Sequence, residues 1–498
     1  MSEADQQATA AMGPAESAEP AVRVAEPLKT ARRRRRSLWR RLANPLVRSL
    51  IAVLIGTLIL RLASHAMGQM TQFYLDHISR SYYHISHTTG AYVIAAFFVT
   101  ELLGSLVFGA MSDRYGRRLF IILGPVLGLI AVQITAMTSA LWLLVFARLI
   151  AGLSTGSSVP ATLGYISDAT VGRPILRARV IGFFEITLVG GIALGAVVGG
   201  YLWKFFPNEK SIAGIRFMSP AFIFNGLIFI LSTVVFAWGL RDVKRGKSAD
   251  AEQNGISHSS AAGRTLGHYY DAFKSRSIWM FSPAWISVFA IVGMWTNVSA
   301  RLFTGHKQYE GQLLTGAVSP EKFENGFATL AIFFALGVLA WSFVLARYRK
   351  TSVMLVSTLA LFGLIVTVFA LNHLESYSSP FYYLLLGLLL IGVLVLSGFT
   401  PAALTYLADV TERFTENRGS IMGLYSVFLG VGQFLGTSIG GYFAEWNGVD
   451  GLLMLSAIFG GITAVSLLTL RRQEPPASPS VKLAAQVPSE NEVTPASL

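Results

Sequence analysis

PATLGYISDAT at 160–170 and PAALTYLADVT at 401–411 are two copies of one stretch, 241 positions apart. The likeness continues without a gap, so that 160–201 aligns with 401–442 at fifteen identical positions out of 42. The chain is also 53% hydrophobic and only 13% charged, which is too apolar for an ordinary soluble protein. A half-length repeat in so apolar a chain predicts two membrane-embedded halves packed around a central pathway.

Apolar segments long enough to cross a bilayer recur along the whole chain. A spanning helix needs about 20 apolar residues, and twelve segments come near that length. We call them spans 1 to 12, at 49–75, 89–111, 119–138, 141–167, 179–203, 217–240, 278–303, 326–346, 352–371, 380–408, 419–444 and 450–470. We therefore predict an all-α integral membrane fold, with twelve transmembrane helices in two pseudo-symmetric six-helix bundles, 47–240 and 278–470.

Basic residues alternate between the two sides of the predicted membrane. The tails and the even-numbered connections between spans hold 31 Lys and Arg residues, and the odd-numbered connections hold six. This asymmetry predicts a multi-pass protein of the plasma membrane with both termini in the cytoplasm. It also explains the net charge of +13 by membrane topology, so we expect no nucleic-acid partner. We expect a monomer surrounded by lipid.

Three polar segments flank or join the bundles. Residues 1–46 are predicted to be a disordered cytoplasmic tail, whose run ARRRRR at 31–36 either anchors anionic lipid or only fixes topology. A cytoplasmic linker is predicted at 241–277, and a disordered, Pro/Ser-rich cytoplasmic tail at 471–498.

The connection between spans 2 and 3 reads GAMSDRYGRR at 109–118. Its glycines permit close backbone approach, and an Asp beside several Arg residues can form an ion-pair latch. The loop resembles the signature G-x-x-x-D-R-x-G-R-R of the major facilitator superfamily, with matches at Gly109, Asp113, Arg114, Gly116, Arg117 and Arg118. The resemblance implies twelve helices and a loop that braces the two halves during a conformational change. A tight loop that only fixes orientation by charge is the alternative.

Span 4 carries Arg148 in the pattern L-x-x-x-R-x-x-x-G-x-x-x-G, from 144 to 156. An Arg inside a span is costly, so it normally faces protein or water and has a partner. The pattern resembles the conserved-arginine motif of the superfamily, which implies a role in proton coupling or substrate contact. A structural ion pair is the alternative interpretation.

Glycines recur at the same positions in spans 5 and 11. In span 5 they resemble the antiporter motif of drug-efflux branches, although Ala196 stands where that motif has proline. Glycines four residues apart also serve plain helix packing. The two sets are Gly191, Gly195, Gly199 and Gly200 in span 5, and Gly432, Gly436, Gly440 and Gly441 in span 11. YISDAT at 165–170 is similar to tetracycline and multidrug efflux proteins.

A polar stripe runs along one face of span 1. Its candidates for substrate contact are Arg61, His65 and Gln72, which are four or seven residues apart. The resembled fold implies that spans 1, 4, 7 and 10 line the cavity, so Trp295 and Asn297 of span 7 join these candidates. Cations at mid-membrane favour an organic anion or zwitterion as substrate.

Two intramembrane carboxylates remain, Glu101 in span 2 and Glu185 in span 5. Either could exchange a proton during transport, or could simply neutralise an Arg. His65 is a third candidate for proton exchange.

These patterns together predict a secondary active transporter that moves a small organic solute by alternating access, coupled to protons. The efflux-like motifs favour export. The alternatives are an uptake symporter or exchanger for an organic anion, and a solute sensor that has the fold without transporting. The sequence has no cysteine and shows no metal-ligand spacing or nucleophile-base set, so we expect no enzyme, no metal and no cofactor.

Overall fold

The described part of the chain is almost entirely helical. A computed structural model describes residues 45–171, 173–206, 210–212, 215–240, 276–305, 309–412 and 418–473. Its long helices are Pro45–Ser81, His87–Tyr115, Arg117–Met137, Leu141–Ala169, Pro174–Phe205, Ala221–Gly239, Arg276–Asn297, Pro320–Val344, Lys350–Asn372, Pro380–Leu396, Phe399–Glu412 and Arg418–Gln473. The predicted 1–44 portion of the N-terminal tail, most of the 241–277 linker and 474–498 lie outside the described residues.

These helices supply all twelve predicted spans. Span 7 is Arg276–Asn297 followed by the short helix Ser299–Thr304, and span 10 is Pro380–Leu396 followed by Phe399–Glu412. Spans 11 and 12 form one run, broken at Asn447 and Gly448. Gly448 has φ of 56°, a left-handed conformation that glycine adopts without strain. Eleven runs of the described residues are therefore long and apolar enough to cross a membrane, and the last of them holds two spans.

Local sequence signals explain several helix starts. Pro174, Pro320 and Pro380 occupy the first turn of spans 5, 8 and 10, where a missing N–H leaves no hydrogen bond unmade. Ser86 caps span 2 by accepting a hydrogen bond from the Thr89 backbone N–H at 3.1 Å. Because Pro320 occupies its first turn, span 8 begins six residues before the predicted start at 326.

One small element departs from the predicted all-helical fold. Strands β1 (Lys210–Ile212) and β2 (Ile215–Phe217) pair antiparallel between spans 5 and 6, with Ser211 opposite Arg216. Span 6 therefore starts at Ala221, four residues after the approximate predicted start at 217, because residue 217 lies in β2.

The glycines of the sequence repeat bring equivalent helices together in the two halves. A Cβ at Gly195 in span 5 would lie 2.5 Å from the Leu62 carbonyl oxygen of span 1. A Cβ at Gly436 in span 11 would lie 1.9 Å from the Ala290 carbonyl oxygen of span 7. Both approaches are closer than any side chain allows, so span 5 packs on span 1 as span 11 packs on span 7.

The last glycine of each set faces the other half. A Cβ at Gly200 in span 5 would lie 2.9 Å from Glu324 Cγ in span 8, and one at Gly441 in span 11 would lie 2.2 Å from Ala91 Cβ in span 2. The halves therefore meet along two helix pairs, spans 5 and 8 and spans 2 and 11. The bundle boundaries at 47–240 and 278–470 stay predictions.

The connections between spans lie at two opposite faces of the bundle. The even face holds the even-numbered connections, such as Gly116 between spans 2 and 3. The odd face holds the odd-numbered connections, such as residues 82–86 between spans 1 and 2. The charge asymmetry of the sequence predicts that the even face is cytoplasmic.

Candidate functional site

A charged cluster lies inside the first half, where spans 1, 2 and 4 meet. Arg61 Nη1 of span 1 lies 3.9 Å from Glu101 Oε1 of span 2, and these side chains are 19% and 23% exposed. Part of the surface of each side chain is therefore exposed. Arg148 of span 4 lies within electrostatic range of the same Glu101 carboxylate.

Small residues on span 4 bring Arg148 and Glu101 to the same depth. A Cβ at Gly152 would lie 2.1 Å from the Phe97 carbonyl oxygen, and one at Gly156 would lie 2.9 Å from the Glu101 carbonyl oxygen. The Thr100 hydroxyl also donates a hydrogen bond to the Leu149 carbonyl oxygen at 2.7 Å. Spans 2 and 4 are therefore in backbone contact, and their charged side chains are held close together.

Arg148 is the most enclosed of these charges, with 4% of its surface exposed. Its guanidinium carbon lies 5.0 Å from the centre of the Phe97 ring, a cation–π contact. Gly68 of span 1 faces the same guanidinium, since a Cβ there would lie 3.9 Å from both terminal nitrogens. The Nε of Arg148 has no acceptor among the described residues. Arg148 thus carries hydrogen-bonding capacity that protein groups leave unused.

His65 joins this cluster to the second half. Its imidazole lies within electrostatic range of Arg61 and Arg148 and stacks on Phe327 of span 8, with ring centres 6.3 Å apart. Its Nε2 lies 3.3 Å from the side-chain nitrogen of Gln69. The side chain is therefore placed to respond to both the charges and the packing of the other half.

Four of the predicted candidates, Arg61, His65, Glu101 and Arg148, meet in this central cluster. Two guanidinium groups against one carboxylate make the cluster net positive when Glu101 is ionised. Such a cluster can bind an acidic group and can exchange a proton at Glu101. Among the described residues, no three His, Asp or Glu side chains are grouped so as to hold a metal ion.

Gln72 and Asn297 lie elsewhere, at a small crevice between the halves on the side of the odd face. They line it together with Arg301. Gln69 and Gln72 of span 1 both donate to the Thr296 carbonyl oxygen of span 7, at 3.1 and 3.2 Å. Gln69 and Gln72 therefore tie the two halves together, and Gln69 also lies beside His65 of the charged cluster.

Arg301 strengthens the same closure. Its guanidinium, 7% exposed, donates to the carbonyl oxygens of Ile85 and Ser86 in the connection between spans 1 and 2. Nearby, the Thr88 backbone N–H donates to Glu445 Oε2 of span 11 at 3.0 Å. The odd face is therefore closed by hydrogen bonds that cross from one half to the other.

Trp295, another of the predicted substrate candidates, makes its hydrogen bond away from the cluster. The Trp295 indole donates to Ser456 Oγ of span 12 at 3.0 Å, inside the second half. The side chain of Glu185 lies outside the described residues, although its backbone belongs to span 5.

The described contacts of the signature loop lie within the first half. Gly116, with φ of 102°, ends span 2 and lets span 3 begin at the next residue. Arg117 Nε lies 3.3 Å from Asp168 Oδ2 at the end of span 4, and Arg118 donates to the Ala237 carbonyl oxygen of span 6 at 3.0 Å. Arg114 lies exposed over the Tyr115 ring.

Gly109 and Asp113 are the other two positions of this loop. A Cβ at Gly109 would lie 3.5 Å from Pro160 Cβ, an ordinary van der Waals contact between spans 2 and 4 that does not require glycine. The side chain of Asp113 lies outside the described residues. The loop thus joins spans 2, 3, 4 and 6 of one half.

Three residues that make inter-half contacts are absent from the predicted candidates. Arg301 lies within span 7, and Gln69 lies between His65 and Gln72 in span 1, but neither is among the predicted candidates. Glu324 was placed in a loop because span 8 was predicted to begin at 326, but it is fully buried in Pro320–Val344. The proline at 320, a common first residue of helices, was the signal that could have placed Glu324 in the span.

Known proteins resemble this chain along its whole membrane region. The profile of the Major Facilitator Superfamily matches residues 41–320 and 311–494. Multidrug resistance protein 1 of Bacillus subtilis is 23% identical over 377 residues, which is 72% of this chain and 81% of that protein. The class C tetracycline resistance protein of Escherichia coli is 32% identical over 139 residues, 28% of this chain and 33% of that protein.

Solved structures share the fold. A bacterial homologue of the human lysosomal transporter Spinster, in an inward-facing and unoccupied conformation, superposes with a TM-score of 0.63 at 14% identity, covering 88% of this chain and 100% of that one. The nucleoside transporter NupG superposes with a TM-score of 0.60 at 14% identity, covering 84% and 98%. The predicted fold and family are confirmed, and the chain belongs to the major facilitator superfamily as a multi-pass membrane transporter.

Proposed function

We propose that the chain is a proton-coupled secondary active transporter for a small organic solute with an acidic group, an organic anion or a zwitterion. The observation that carries this proposal is the charged cluster, in which Glu101 competes for guanidinium groups that an acidic solute would also bind. The solute would occupy the cluster while the halves rock between two states.

The coupling follows from the charges. Two opposite unit charges about 4 Å apart attract by about 4 kcal/mol at an effective dielectric constant of about 20. An anionic solute must overcome that attraction between Arg61 and Glu101, unless Glu101 first takes up a proton. Protonation of Glu101 therefore strengthens binding of the anion, and a proton and the solute bind together. Co-binding couples the two in the same direction, as in a symporter.

Export is the second candidate, and the relatives favour it. The proteins named for multidrug and tetracycline resistance are related to this chain, and a transporter that exports a drug can give resistance to it. An exporter driven by protons requires the opposite coupling, in which solute and proton exclude each other. The two candidates thus differ in the sign of the effect of a pH gradient.

The membrane and the orientation also belong to this proposal. The excess of basic residues on the even face supports a plasma-membrane protein with both termini in the cytoplasm. We take the functional unit to be a monomer made of the two bundles, with lipid around it.

The test is flux in proteoliposomes. A panel of labelled monocarboxylates, amino acids and cationic drugs is offered with a pH gradient of either sign. Symport predicts faster uptake of an acidic solute from the more acidic side, whereas drug export by exchange predicts faster uptake of a cationic solute from the more alkaline side. A solute that binds without moving would favour the sensor.

Arg61→Gln tests the assignment of the cluster. We expect it to raise the half-saturating concentration of an acidic solute at least tenfold, because a charged partner is lost. Arg347→Gln is the matched control, since Arg347 is an exposed Arg at the even face of the second half. Unchanged kinetics in Arg61→Gln would remove the cluster from substrate binding.

A further inference from the structure

Glu324 is a buried acid between the two halves that none of the motifs points to. It lies in the first turns of span 8 with no exposed surface, and neither carboxylate oxygen has a hydrogen-bond partner among the described residues. Most buried polar groups in proteins are hydrogen-bonded, so an enclosed carboxyl group without a partner calls for an explanation.

Glu324 and its neighbours along span 8 pack against three other spans. Gly200 of span 5 packs on its side-chain stem. Its neighbours along span 8 reach outward: Phe323 packs on Phe303 of span 7, and Phe327 stacks on His65 of span 1. At this depth one side of span 8 packs against spans 1, 5 and 7, and Glu324 lies between the halves.

The titratable groups nearby are engaged with other partners. Lys204 of span 5 pairs with Glu321 at 3.2 Å, and the Tyr201 hydroxyl accepts a hydrogen bond from Asn325 at 3.4 Å. His65 lies beside Gln69, Arg301 of span 7 is bound to Ile85 and Ser86, and Lys322 is exposed. None of these side chains donates a hydrogen bond to the Glu324 carboxyl group.

This packing accommodates the neutral acid only. An ionised carboxylate that is sealed from water and lacks a donor is strongly unfavourable. The acid can lose its proton once spans 5 and 8 separate, because water at the odd face would then reach it. The Lys204–Glu321 pair and the Tyr201–Asn325 hydrogen bond both cross this seam and would break at the same step.

We propose that Glu324 is a second proton site of the transporter, which holds its proton while spans 5 and 8 are packed and passes it to water at the odd face when they part. The proposal rests on the proposed proton-coupled function and adds a step to it. Glu101 exchanges its proton in the central cluster, and Glu324 links a proton to the closure between the halves.

The sign of the pH effect follows from the sealed state. The closed odd face requires a protonated Glu324, so its stability is fully present at low pH and is lost as the pH rises. For one linked proton, the ratio of open to closed molecules rises by at most about tenfold per pH unit.

The experiment needs no known solute. The sequence has no cysteine, so Tyr82→Cys and Phe381→Cys can be spin-labelled selectively. These exposed residues lie at the odd face, one in each half. Electron–electron distances are measured in nanodiscs from about pH 5 to about pH 9, a range that spans the titration of a perturbed carboxyl group. We expect the longer distance to gain population as the pH rises.

Variants locate the response. Glu324→Gln should remain closed across this range, since the amide has no proton to lose. Glu321→Gln, which removes the partly exposed partner of Lys204, should keep the pH response. Glu324→Asp, a shorter acid, should keep a response with a shifted midpoint and provides a test if the amide variant does not fold. A pH response in Glu324→Gln equal to that of the labelled parent would overturn the proposal, as would an unshifted midpoint in Glu324→Asp or a parent with no response.

This outcome is separable from the proposed function. Flux without any dependence on a pH gradient, beside an intact response at Glu324, would contradict the proposed coupling at Glu101 alone. Gradient-dependent flux with no response at Glu324 would contradict the second proton site alone. A Glu101→Gln variant should lose the gradient dependence of flux and keep the pH-dependent change of distance.

Discussion

Replacement of Arg301 by Gln should open the odd face. In the closed state the guanidinium is 7% exposed and donates to the carbonyl oxygens of Ile85 and Ser86 in the other half. A hydrogen bond from a charged donor contributes about 1.5–3 kcal/mol. The variant loses both hydrogen bonds of the closed state. In the parent protein, water hydrates the guanidinium in the open state, so part of the energy of these two hydrogen bonds is offset. The closed state should therefore lose about 2–3 kcal/mol relative to the open state, a population shift of roughly 30- to 150-fold.

The assay is the distance between spin labels at Tyr82→Cys and Phe381→Cys, at one fixed pH. Arg301→Gln should increase the fraction of the long distance, while the control Arg347→Gln should leave the distribution unchanged. Arg347 is exposed at the even face, on the opposite side of the bundle from Arg301. A distribution in Arg301→Gln that matches the parent would refute the view that these two hydrogen bonds hold the odd face closed.

Three further substitutions test packing and placement. Gly436→Ala puts a Cβ 1.9 Å from the Ala290 carbonyl oxygen. Such overpacking should lower the free energy of unfolding, measured in a thermal melt, by at least about 1–3 kcal/mol. The control Gly387→Ala should not lower it, because a Cβ at that position would have no atom within 4 Å. Arg117→Gln removes the ion pair with Asp168, so amide hydrogen exchange over 160–170 should become faster, and unchanged exchange would contradict a bracing role. Trp295→Phe loses the hydrogen bond to Ser456, which should reduce stability by about 1 kcal/mol and leave solute selectivity unaltered; altered selectivity would place Trp295 in the transport pathway.

The helices themselves were predictable from the sequence for a physical reason. A spanning segment must satisfy its backbone hydrogen bonds internally, so each helix is specified by its own apolar length. The glycine repeat was equally informative, because only glycine permits the backbone approach seen at Gly195 and Gly436. Both signals act within one segment or between two copies of it.

Span ends were less predictable, and Glu324 shows why. Hydropathy assigns a polar residue near a helix end to a loop, and that assignment holds where the end is exposed to water. Glu324 is buried because Gly200 of span 5 brings another helix over it. Its burial depends on a neighbour that is more than a hundred residues away in the chain.

The candidate site was partly predictable. Arg148 and Glu101 were singled out because charges are rare inside spans. Trp295 and Asn297 were assigned to the cavity from the span they belong to, yet one donates to Ser456 and the other lines the odd-face crevice. The Thr296 carbonyl oxygen between them makes the contact with span 1, and a backbone atom gives no sequence signal.

The sequence by itself determined the twelve spans, the two related halves and the rare charges within the membrane. Each of these follows from the transfer of a single segment into the bilayer or from an internal copy of it. Only the tertiary structure decided that Arg61 faces Glu101, that Arg301 closes the odd face, and that Glu324 is sealed between spans 5 and 8. Those pairings depend on the rotation and depth of each helix against its neighbours, which the apolar character of the single segments leaves open.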